Sequence, residues 1–397
     1  MTEKIYYADP YLKKCESQVV DVIKEDDKIL VVLEKTPFYP EGGGQPSDTG
    51  YIDEVKVIYV YEKNDVIYHV VEKELECGNV KCSIDFERRF DFMQQHSGEH
   101  LLSGVIHKLY KGNNKGFHLG EDYVTVDIDI YPFTDNMIEE IEKEVNNYVY
   151  MNEPFVTYFV DKESLDKVPS RKKIDVQGNI RIVEAKDMDC CPCCGTHVLR
   201  TGEIGMVKIL KVEKYKGMSR LYLKCGKRAY EDFKLKHKIV DKLSRKFSTD
   251  EKSVIKNIDK QFEDIFNFKR ELSHLKNKLS KEEALKLMES SKENYIFKSY
   301  EDKSFEEIKY IGEALSNENY IFILVSLKDK NILFVNNSNI ELSCGKLFKE
   351  HIKKYNGKGG GRDEKAQGSF SDIKDLEEFY LFLCEMIKNE NSKKRNG

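Results

Sequence analysis

The chain has no run of apolar residues that approaches the roughly 20 residues a membrane-spanning helix needs, so we expect no membrane insertion. Its N-terminus, MTEKIYYADPYLKKC, lacks the apolar core of a signal peptide, which predicts a cytoplasmic protein. No tandem repeat is present, which excludes a repeat architecture. Tryptophan is also absent, but that absence excludes no class of function.

What the chain does contain is a charged composition with ten cysteines. Hydrophobic residues make up 40% of the 397 residues and charged residues 34%, which predicts a globular protein with two or three domains. Four of the cysteines fall within residues 190–194. This crowding suits metal ligands better than a disulfide framework.

The charge is unevenly distributed along the chain. The formal net charge of −5 argues weakly against a nucleic-acid partner, yet residues 200–246 hold fifteen Lys or Arg against five Asp or Glu. A local excess of this kind is typical of a surface that binds a phosphate backbone. A solvated, lysine-rich surface is the alternative interpretation.

The patterns predict an α+β multidomain protein with four parts. Residues 1–85 are rich in Val, Ile and Tyr with intervening turns, which predicts a β-rich, barrel-like domain. Residues 86–228 mix helical and alternating patterns, which predicts an α+β domain. Residues 229–290 contain no Pro or Gly and place apolar residues at steps of three and four, which favours a coiled-coil-like helical arm of one helix or two. A helix packed on its own domain is the alternative for that segment, and residues 291–397 predict a C-terminal α/β domain.

Two short runs each place two metal-type ligands four residues apart. His96 and His100 occur in HSGEH, within a helix predicted over residues 88–110, where positions four apart share one face. Cys193 and His197 occur in CPCCGTH, where Gly195 interrupts the spacing and predicts a turn. Three imidazoles and a thiolate are a typical ligand set for Zn2+, so we predict a zinc site that only folding can assemble.

Two alternatives for these runs remain open at this point. HSGEH matches the inverted zinc-protease pattern H-x-x-E-H with Glu99 as the base, although Glu99 would lie roughly 100° off the ligand face of the helix. A protease site of this type would also leave the second run, which contains Cys193 and His197, without a role. In a purely structural zinc site, Cys190, Cys191 or Cys194 would replace Cys193, because spacing alone does not select the thiol.

Four motifs, TPFYPEGGGQPSDTG, HSGEHLLSG, CCGTHV and GKGGGR, occur in this order and resemble the editing half of alanyl-tRNA synthetase. The chain is still more similar to the long form of the stand-alone alanyl-tRNA editing hydrolases, the AlaX type, over nearly its whole length. The resemblance implies that His96, His100, Cys193 and His197 are the zinc ligands. Where the family pattern has Gly after that cysteine, this chain has Cys194, which would be strained if the position needs a positive φ.

The resemblance further implies hydrolysis of the ester that joins a wrong amino acid, mainly serine and also glycine, to tRNA(Ala). Such a reaction needs a water nucleophile, stabilisation of an oxyanion and a grip on the tRNA 3′ end. We expect Gly43 and Gly44 to let the backbone approach the terminal adenosine and to offer N–H groups to the oxyanion. Thr36 and Gln45 are expected near the substrate, with the Thr36 hydroxyl distinguishing serine from alanine.

No general base is evident, and Glu99 and His118 are the weaker candidates. The C-terminal domain resembles the DHH-associated domain. Its glycine run with flanking cations suits contact with an RNA backbone, and consists of Lys358, Gly359, Gly360, Gly361 and Arg362.

Two activities of related proteins are not expected of this chain. The Asp-rich metal motifs of DHH phosphoesterases are not visible, and no length remains for an aminoacylation domain. The resemblance therefore predicts a trans-editing hydrolase, with a homodimer through the arm or the C-terminal domain. A non-catalytic, zinc-containing tRNA-binding protein is the alternative.

Overall fold

The structure, a computed structural model, describes residues 2–25, 27–161, 168, 180–316 and 318–395. Within these residues the protein is α+β, with seven α-helices and several β-sheets. The contacts of the chain separate two compact units, one ending at Arg245 and the other beginning at Lys246. Of the helices in the described part of the chain, none combines the length and the apolar character needed to cross a membrane.

The first unit opens with a β-rich region. Its strands are β1 (Glu3–Lys4), β2 (Lys14–Glu25), β3 (Lys28–Leu33), β4 (Lys35–Thr36), β5 (Gly50–Ile52), β6 (Val55–Lys63), β7 (Val66–Val71) and β8 (Gly78–Ile84). Strands β2, β3, β7, β6, β5 and β8 follow one another around a closed barrel, and β1 pairs in parallel with β4. Because successive side chains of a strand face opposite sides, the alternating apolar residues fill the interior.

Helix α1 (Phe86–Tyr110) follows the barrel and carries the first ligand run. Asp85 caps it by accepting a hydrogen bond from the backbone N–H of Arg88, as a helix N-terminus prefers. Every residue from 92 to 106 is buried, so α1 is the central helix of this unit. The helix predicted over residues 88–110 is confirmed.

The rest of the first unit surrounds α1. Its elements are β9 (Asn114–Leu119), β10 (Val124–Ile128), α2 (Asp135–Met151), β11 (Phe155–Val160), β12 (Ile180–Ala185), β13 (Asp189–Pro192), β14 (Val207–Tyr215), β15 (Met218–Cys225) and α3 (Gly226–Phe247). One sheet has the order β14, β15, β10, β9, and a second has the order β11, β12, β13. Helix α1 contacts α2, β9, β13 and β15, so strands of both sheets meet the helix that carries the histidines.

A buried ion pair fastens the loop between β4 and β5 to α1. The Nε atom of Arg89 lies 3.0 Å from Oδ1 of Asp48, and both side chains are fully buried. The same guanidinium donates through Nη2 to the carbonyl of Pro37 at 2.7 Å, and Asp48 accepts from the N–H of Tyr39 at 2.7 Å. Because each charge is paired and hydrogen-bonded, the loop that holds the three glycines has one defined position against α1.

The second unit is a helical segment followed by an α/β domain. Its elements are α4 (Val254–Ser290), β16 (Tyr295–Tyr300), α5 (Phe305–Leu315), β17 (Ile321–Ser326), β18 (Asn331–Asn336), α6 (Cys344–His351), β19 (Lys358–Gly361), β20 (Lys365–Ser369) and α7 (Ile373–Arg395). The sheet has the order β16, β17, β18, β20, β19. Helices α4 and α5 bury apolar residues with one face of this sheet, and α6 and α7 do so with the other.

The segment predicted as a helical arm forms two helices. Between α3 and α4, Ser248 has a φ of 51°, a left-handed conformation that no helix interior contains, so the break needs neither Pro nor Gly. On α4 the predicted apolar stripe is exposed, with relative exposures between 48% and 68% for Phe262, Ile265, Phe268, Leu272, Leu275 and Leu279. The described residues of its own unit therefore leave this stripe uncovered.

Candidate metal centre

Four ligand-type side chains from the two distant runs meet in one cluster. His96 and His100 lie one turn apart on α1, and Cys193 and His197 lie on residues 193–197 after β13, here called the knuckle. Their ligand atoms lie within 4.8 Å of one another. The Sγ atom of Cys193 is 3.4 Å from Nε2 of His96 and 3.3 Å from Nε2 of His197. One tetrahedral ion fits a set of this composition and spread.

The Nδ1 atom of each histidine faces a partner outside the cluster. These contacts join His96 to Oε1 of Gln45 at 2.9 Å, His100 to Oδ2 of Asp189 at 3.0 Å, and His197 to Oγ of Ser97 at 3.1 Å. The amide oxygen of Gln45 and the carboxylate oxygen of Asp189 accept hydrogen bonds, so Nδ1 carries the proton in His96 and in His100. Outer partners of this kind orient imidazoles and leave Nε2 for a metal.

The electrostatics of the cluster favour a thiolate. Burial opposes ionisation of Cys193, but attraction to His96, His197 and His100 outweighs it and holds the pKa of the thiol well below its ordinary value. Burial lowers the pKa of His197 to about 3, against the opposing effect of Cys193. Burial also opposes a proton on His100, but Cys191, Cys193 and Asp189 outweigh it and raise that pKa well above its usual value. A metal ion would replace this proton as the positive partner of the thiolate.

The knuckle selects one cysteine and requires one glycine. A Cβ atom on Gly195 would lie 2.1 Å from Cε1 of His96, so no side chain fits there. Arg181 holds the turn by donating from Nη1 to the carbonyls of Cys193 at 2.8 Å and Gly195 at 2.9 Å. Cys194 is exposed and is not among the described residues with a positive φ, so the condition under which it would be strained does not hold.

The neighbouring thiol Cys191 lies behind His100. Its Sγ atom is 3.5 Å from Nδ1 of His100 and donates to Asp189 at 3.3 Å. These three residues form a second group of metal-type ligands that shares His100 with the first. Because Cys191 faces Nδ1 of His100, the structure groups Cys193, and not Cys191, with all three histidines.

Gln45 is inserted between α1 and the knuckle. Its side chain is 1% exposed. Besides its contact with His96, it donates from Nε2 to Oγ1 of Thr196 at 2.9 Å and accepts from the N–H of Thr196 at 3.2 Å. The glycine-rich loop of the barrel and the metal-type cluster are therefore parts of one site.

The two central glycines of the loop form a tight turn beside the cluster. Gly43 and Gly44 have φ values of 58° and 79° and are exposed, between two backbone hydrogen bonds that join Gly42 to Gln45. A Cβ atom on Gly44 would lie 2.6 Å from Cδ1 of Phe117, whose ring centroid is 4.9 Å from that of His96. Glycine at this position lets the turn pack against β9.

Thr36 is fully buried in the barrel and paired with His69. Its Oγ1 atom lies 2.7 Å from Nε2 of His69, and Nδ1 of the same ring lies 3.0 Å from the carbonyl of Val31. A carbonyl only accepts, so Nδ1 carries the proton and Nε2 accepts the hydroxyl proton of Thr36. The hydroxyl oxygen also accepts from the N–H of Phe38 at 3.1 Å.

The two weaker candidates for a base point elsewhere. Glu99 is buried and accepts hydrogen bonds from Ser103 and Asn114, each at 2.5 Å. Neither group of metal-type ligands among the described residues includes Glu99. His118 is exposed on β9. The arrangement that the protease alternative needs, with Glu99 facing the histidine pair, is not formed.

The glycine run of the second unit forms the edge strand β19. Lys358 and Arg362 at its ends are exposed. A Cβ atom on Gly359 would lie 2.3 Å from the carbonyl oxygen of Gln367, so glycine is needed for β19 to pair closely with β20. For Gly360 no atom lies within 4 Å of such a Cβ, and Gly361 again faces β20 closely. The strand presents backbone and two cations at a sheet edge.

Sequence reasoning missed the residues that support the site. Ser97 follows a ligand directly and Asp189 precedes the cysteine run, so neighbourhood in sequence was an available signal for both. His69 lies 33 positions from Thr36, and Arg181 lies 12 positions before Cys193. No local pattern marks either residue.

Three family models match separate parts of the chain. They are tRNA synthetases class II (A) over residues 4–88, the threonyl and alanyl tRNA synthetase second additional domain over residues 180–222, and the DHHA1 domain over residues 292–389. The second match covers the knuckle and most of the β14–β15 hairpin.

Individual relatives match over most of the chain. The alanyl-tRNA editing protein AlaX-L of Pyrococcus horikoshii is 34% identical over 394 residues, which cover 93% of this chain and 94% of that protein. The alanine–tRNA ligases of Pyrococcus abyssi and Pyrococcus furiosus are each 30% identical over 97% and 95% of this chain, but over only 44% and 43% of the ligases. The chain thus spans nearly all of the editing protein and less than half of each ligase.

Proposed function

The chain belongs to the family of the alanyl-tRNA editing protein AlaX-L, and on that premise we propose that it is an aminoacyl-tRNA deacylase that cleaves the ester of Ser-tRNA(Ala) and Gly-tRNA(Ala). One observation carries the proposal at the level of residues. Gln45 of the glycine-rich loop contacts both His96 and the knuckle, so the loop and the ligand cluster form one site. An editing site needs this combination of a polar anchor and closely approachable backbone.

We propose zinc as the metal, held by His96, His100, Cys193 and His197. Three imidazoles and one thiolate favour zinc over magnesium or calcium, which prefer oxygen ligands. The donors fit because Nδ1 of each ring has an outer partner and the thiol favours its ionised form. When bound, the ion would supply a positive charge that attracts and orients polar groups of the substrate.

The backbone of the loop would act on the ester itself. Gly43 and Gly44 are exposed beside the cluster, and their lack of side chains would let the terminal adenosine come close. Their N–H groups are our candidates for stabilising the developing oxyanion. Gln45 would act as a positioning residue, because it holds His96 and does not need to touch the substrate.

Thr36 would select the amino acid. Its proton is committed to His69 and one lone pair to Phe38, which leaves one acceptor position on the hydroxyl oxygen. A serine hydroxyl can donate to that position, whereas the methyl group of alanine cannot. A polar contact of this kind discriminates more strongly than a pocket sized for one methylene group.

The remaining proposals concern the partners. We propose that Lys358, Gly359, Gly360, Gly361 and Arg362 contact the tRNA backbone through their exposed edge strand. The uncovered apolar stripe of α4 supports a homodimer through that helix. Ten free cysteines fit the reducing environment of the cytoplasm, where we place the reaction.

A deacylation assay tests the proposed function. Purified protein is incubated with Ser-tRNA(Ala), Gly-tRNA(Ala) and Ala-tRNA(Ala), and release of each amino acid is followed. We expect release of serine and glycine with alanine spared, and no release by Cys193→Ala. Absence of serine release at micromolar enzyme with zinc present would overturn the proposal.

The two alternatives predict different outcomes. A non-catalytic tRNA-binding protein would bind tRNA(Ala) without turnover. A protease of the inverted type would cleave peptides, lose that activity in Glu99→Gln and keep it in Cys193→Ala. The contacts of Glu99 with Ser103 and Asn114 count against the protease.

A further inference from the structure

We propose that the outward face of the sheet β14–β15–β10–β9 binds the phosphodiester backbone of the helical stem of the tRNA substrate. This inference rests on the proposed function for its partner, and it assigns a role to the excess of Lys and Arg in residues 200–246. The residues that form the face are Tyr123, Lys211, Tyr215, Lys216, Arg220 and Tyr222, here called the cation–tyrosine face.

The alternation of the strands separates this face from the core. Val124, Val126, Leu221 and Leu223 are fully buried against α1 and its neighbours. The residues between them point to the opposite side of the sheet. In one row across it, Lys211 pairs with Tyr222, which pairs with Thr125.

Three cations of this face lie over tyrosine rings. The Nζ atom of Lys211 is 4.2 Å from the ring centroid of Tyr222, and the guanidinium carbon of Arg220 is 3.5 Å from that of Tyr215. The Nζ atom of Lys216 lies 5.1 Å from the ring of Tyr215. A neutral ring positions a cation without cancelling its charge, which leaves the cation available to a phosphate.

Carboxylates on the same face neutralise only part of the charge. Glu213 accepts from Lys211 at 2.6 Å, and Asp127 accepts from Arg220 through both oxygens at 2.6 and 2.8 Å. Among the described residues, no carboxylate lies within ion-pair distance of Lys216 at the hairpin turn. This lysine therefore carries the positive charge that the carboxylates of the face leave uncompensated.

The face adjoins the candidate metal centre. Strand β9 is the edge of this sheet, and its Phe117 packs against His96 on the inner side. The N–H of Leu119 on the same strand donates to the carbonyl of Gly44 at 3.2 Å. Strands of a sheet are about 4.8 Å apart, so β14 lies roughly 14 Å from β9. A tRNA whose 3′ end reaches the cluster over β9 would bring its stem phosphates to this face.

Salt-dependent binding tests the assignment. The variant Lys211→Ala/Lys216→Ala is compared with wild type and with Lys13→Ala/Lys108→Ala, whose lysines also lie over aromatic rings, at 4.5 Å from Phe86 and 5.2 Å from Tyr148. The probe is uncharged tRNA(Ala) transcript, with Kd measured between about 50 and about 200 mM salt. For Lys211→Ala/Lys216→Ala we expect Kd to rise at least about tenfold and the slope of log Kd against log salt to fall by about 2. The control should match wild type.

Unchanged affinity and slope in Lys211→Ala/Lys216→Ala would overturn the inference, as would an equal loss in the control variant. The outcome is separate from that of the deacylation assay. If wild-type protein released no serine, the proposed activity would fail. The salt dependence of tRNA binding would still show whether the cation–tyrosine face contacts the tRNA backbone.

Discussion

The Oε1 atom of Gln45 lies 2.9 Å from Nδ1 of His96, so a residue of the barrel loop orients a ring that a metal would bind. The same side chain is bonded twice to Thr196 of the knuckle. One buried amide therefore connects three segments that are distant in sequence, and the geometry of the cluster depends on the loop.

Replacing Gln45 with Leu should weaken metal binding. The leucine keeps similar bulk but cannot accept the proton of His96, and outer partners of this kind contribute about 10- to 100-fold in metal affinity. Competition with a chromophoric chelator measures the change. Gln18→Leu, at an exposed position of β2, is the matched control and should bind metal like wild type. Equal affinities in both variants would show that Gln45 does not support the site.

The two adjacent cysteines should differ sharply in a metal assay. Cys193→Ser should lose most of the bound zinc, because it removes the only thiolate that the structure groups with the three histidines among the described residues. Cys194→Ser should keep one zinc per chain, because that side chain is exposed. Elemental analysis of the purified variants gives the stoichiometry. Comparable losses would mean that either thiol can bind.

A methyl group at Gly195 should disrupt the centre. It would lie 2.1 Å from Cε1 of His96, which must move or push the knuckle away. We expect Gly195→Ala to lower zinc affinity and to cost about 1–3 kcal/mol of stability, as overpacking does. Gly42→Ala is the control, since its Cβ would be 3.6 Å from the nearest atom. Urea unfolding and zinc titration of both variants test the prediction.

His69 should make stability depend on pH. Burial lowers its pKa from 6.5 to about 4, so as pH falls below 6.5 the unfolded chain takes up a proton before the folded protein does. The contribution of His69 to the free energy of unfolding is therefore present in full above pH 6.5 and is lost as the pH falls towards 4. Over this range the free energy of unfolding changes by at most about 1.4 kcal/mol per pH unit because of this group.

The substitution His69→Gln should therefore flatten the curve of unfolding free energy against pH between 4 and 6.5. Its baseline stability will also fall, because Thr36 loses its acceptor, so the slope is the quantity to compare. His118→Gln, at an exposed position, should leave the slope unchanged. A His69→Gln curve parallel to that of wild type would contradict the assignment.

Local patterns predicted the elements that depend on neighbouring residues. The spacing of His96 and His100 placed both on one face of a helix, and α1 has them there. The hairpin of β14 and β15 and the pair β17 and β18 follow from runs of β-branched residues around short turns. In these segments the period of the side chains and the turn chemistry act within a few residues, so the sequence contains the information directly.

The types of the ligand residues, their spacing and the accompanying glycine loop can be read from the sequence, because backbone geometry and donor chemistry are local properties. Three relations depend instead on the packed fold: Cys193 and not Cys194 joins the histidines, Gln45 supports His96, and Thr36 gives its proton to His69. These relations join residues from 33 to 97 positions apart, and they arise when the barrel, α1 and the knuckle pack together. Packing of that kind is fixed by the sum of many contacts, and no short stretch of sequence records it.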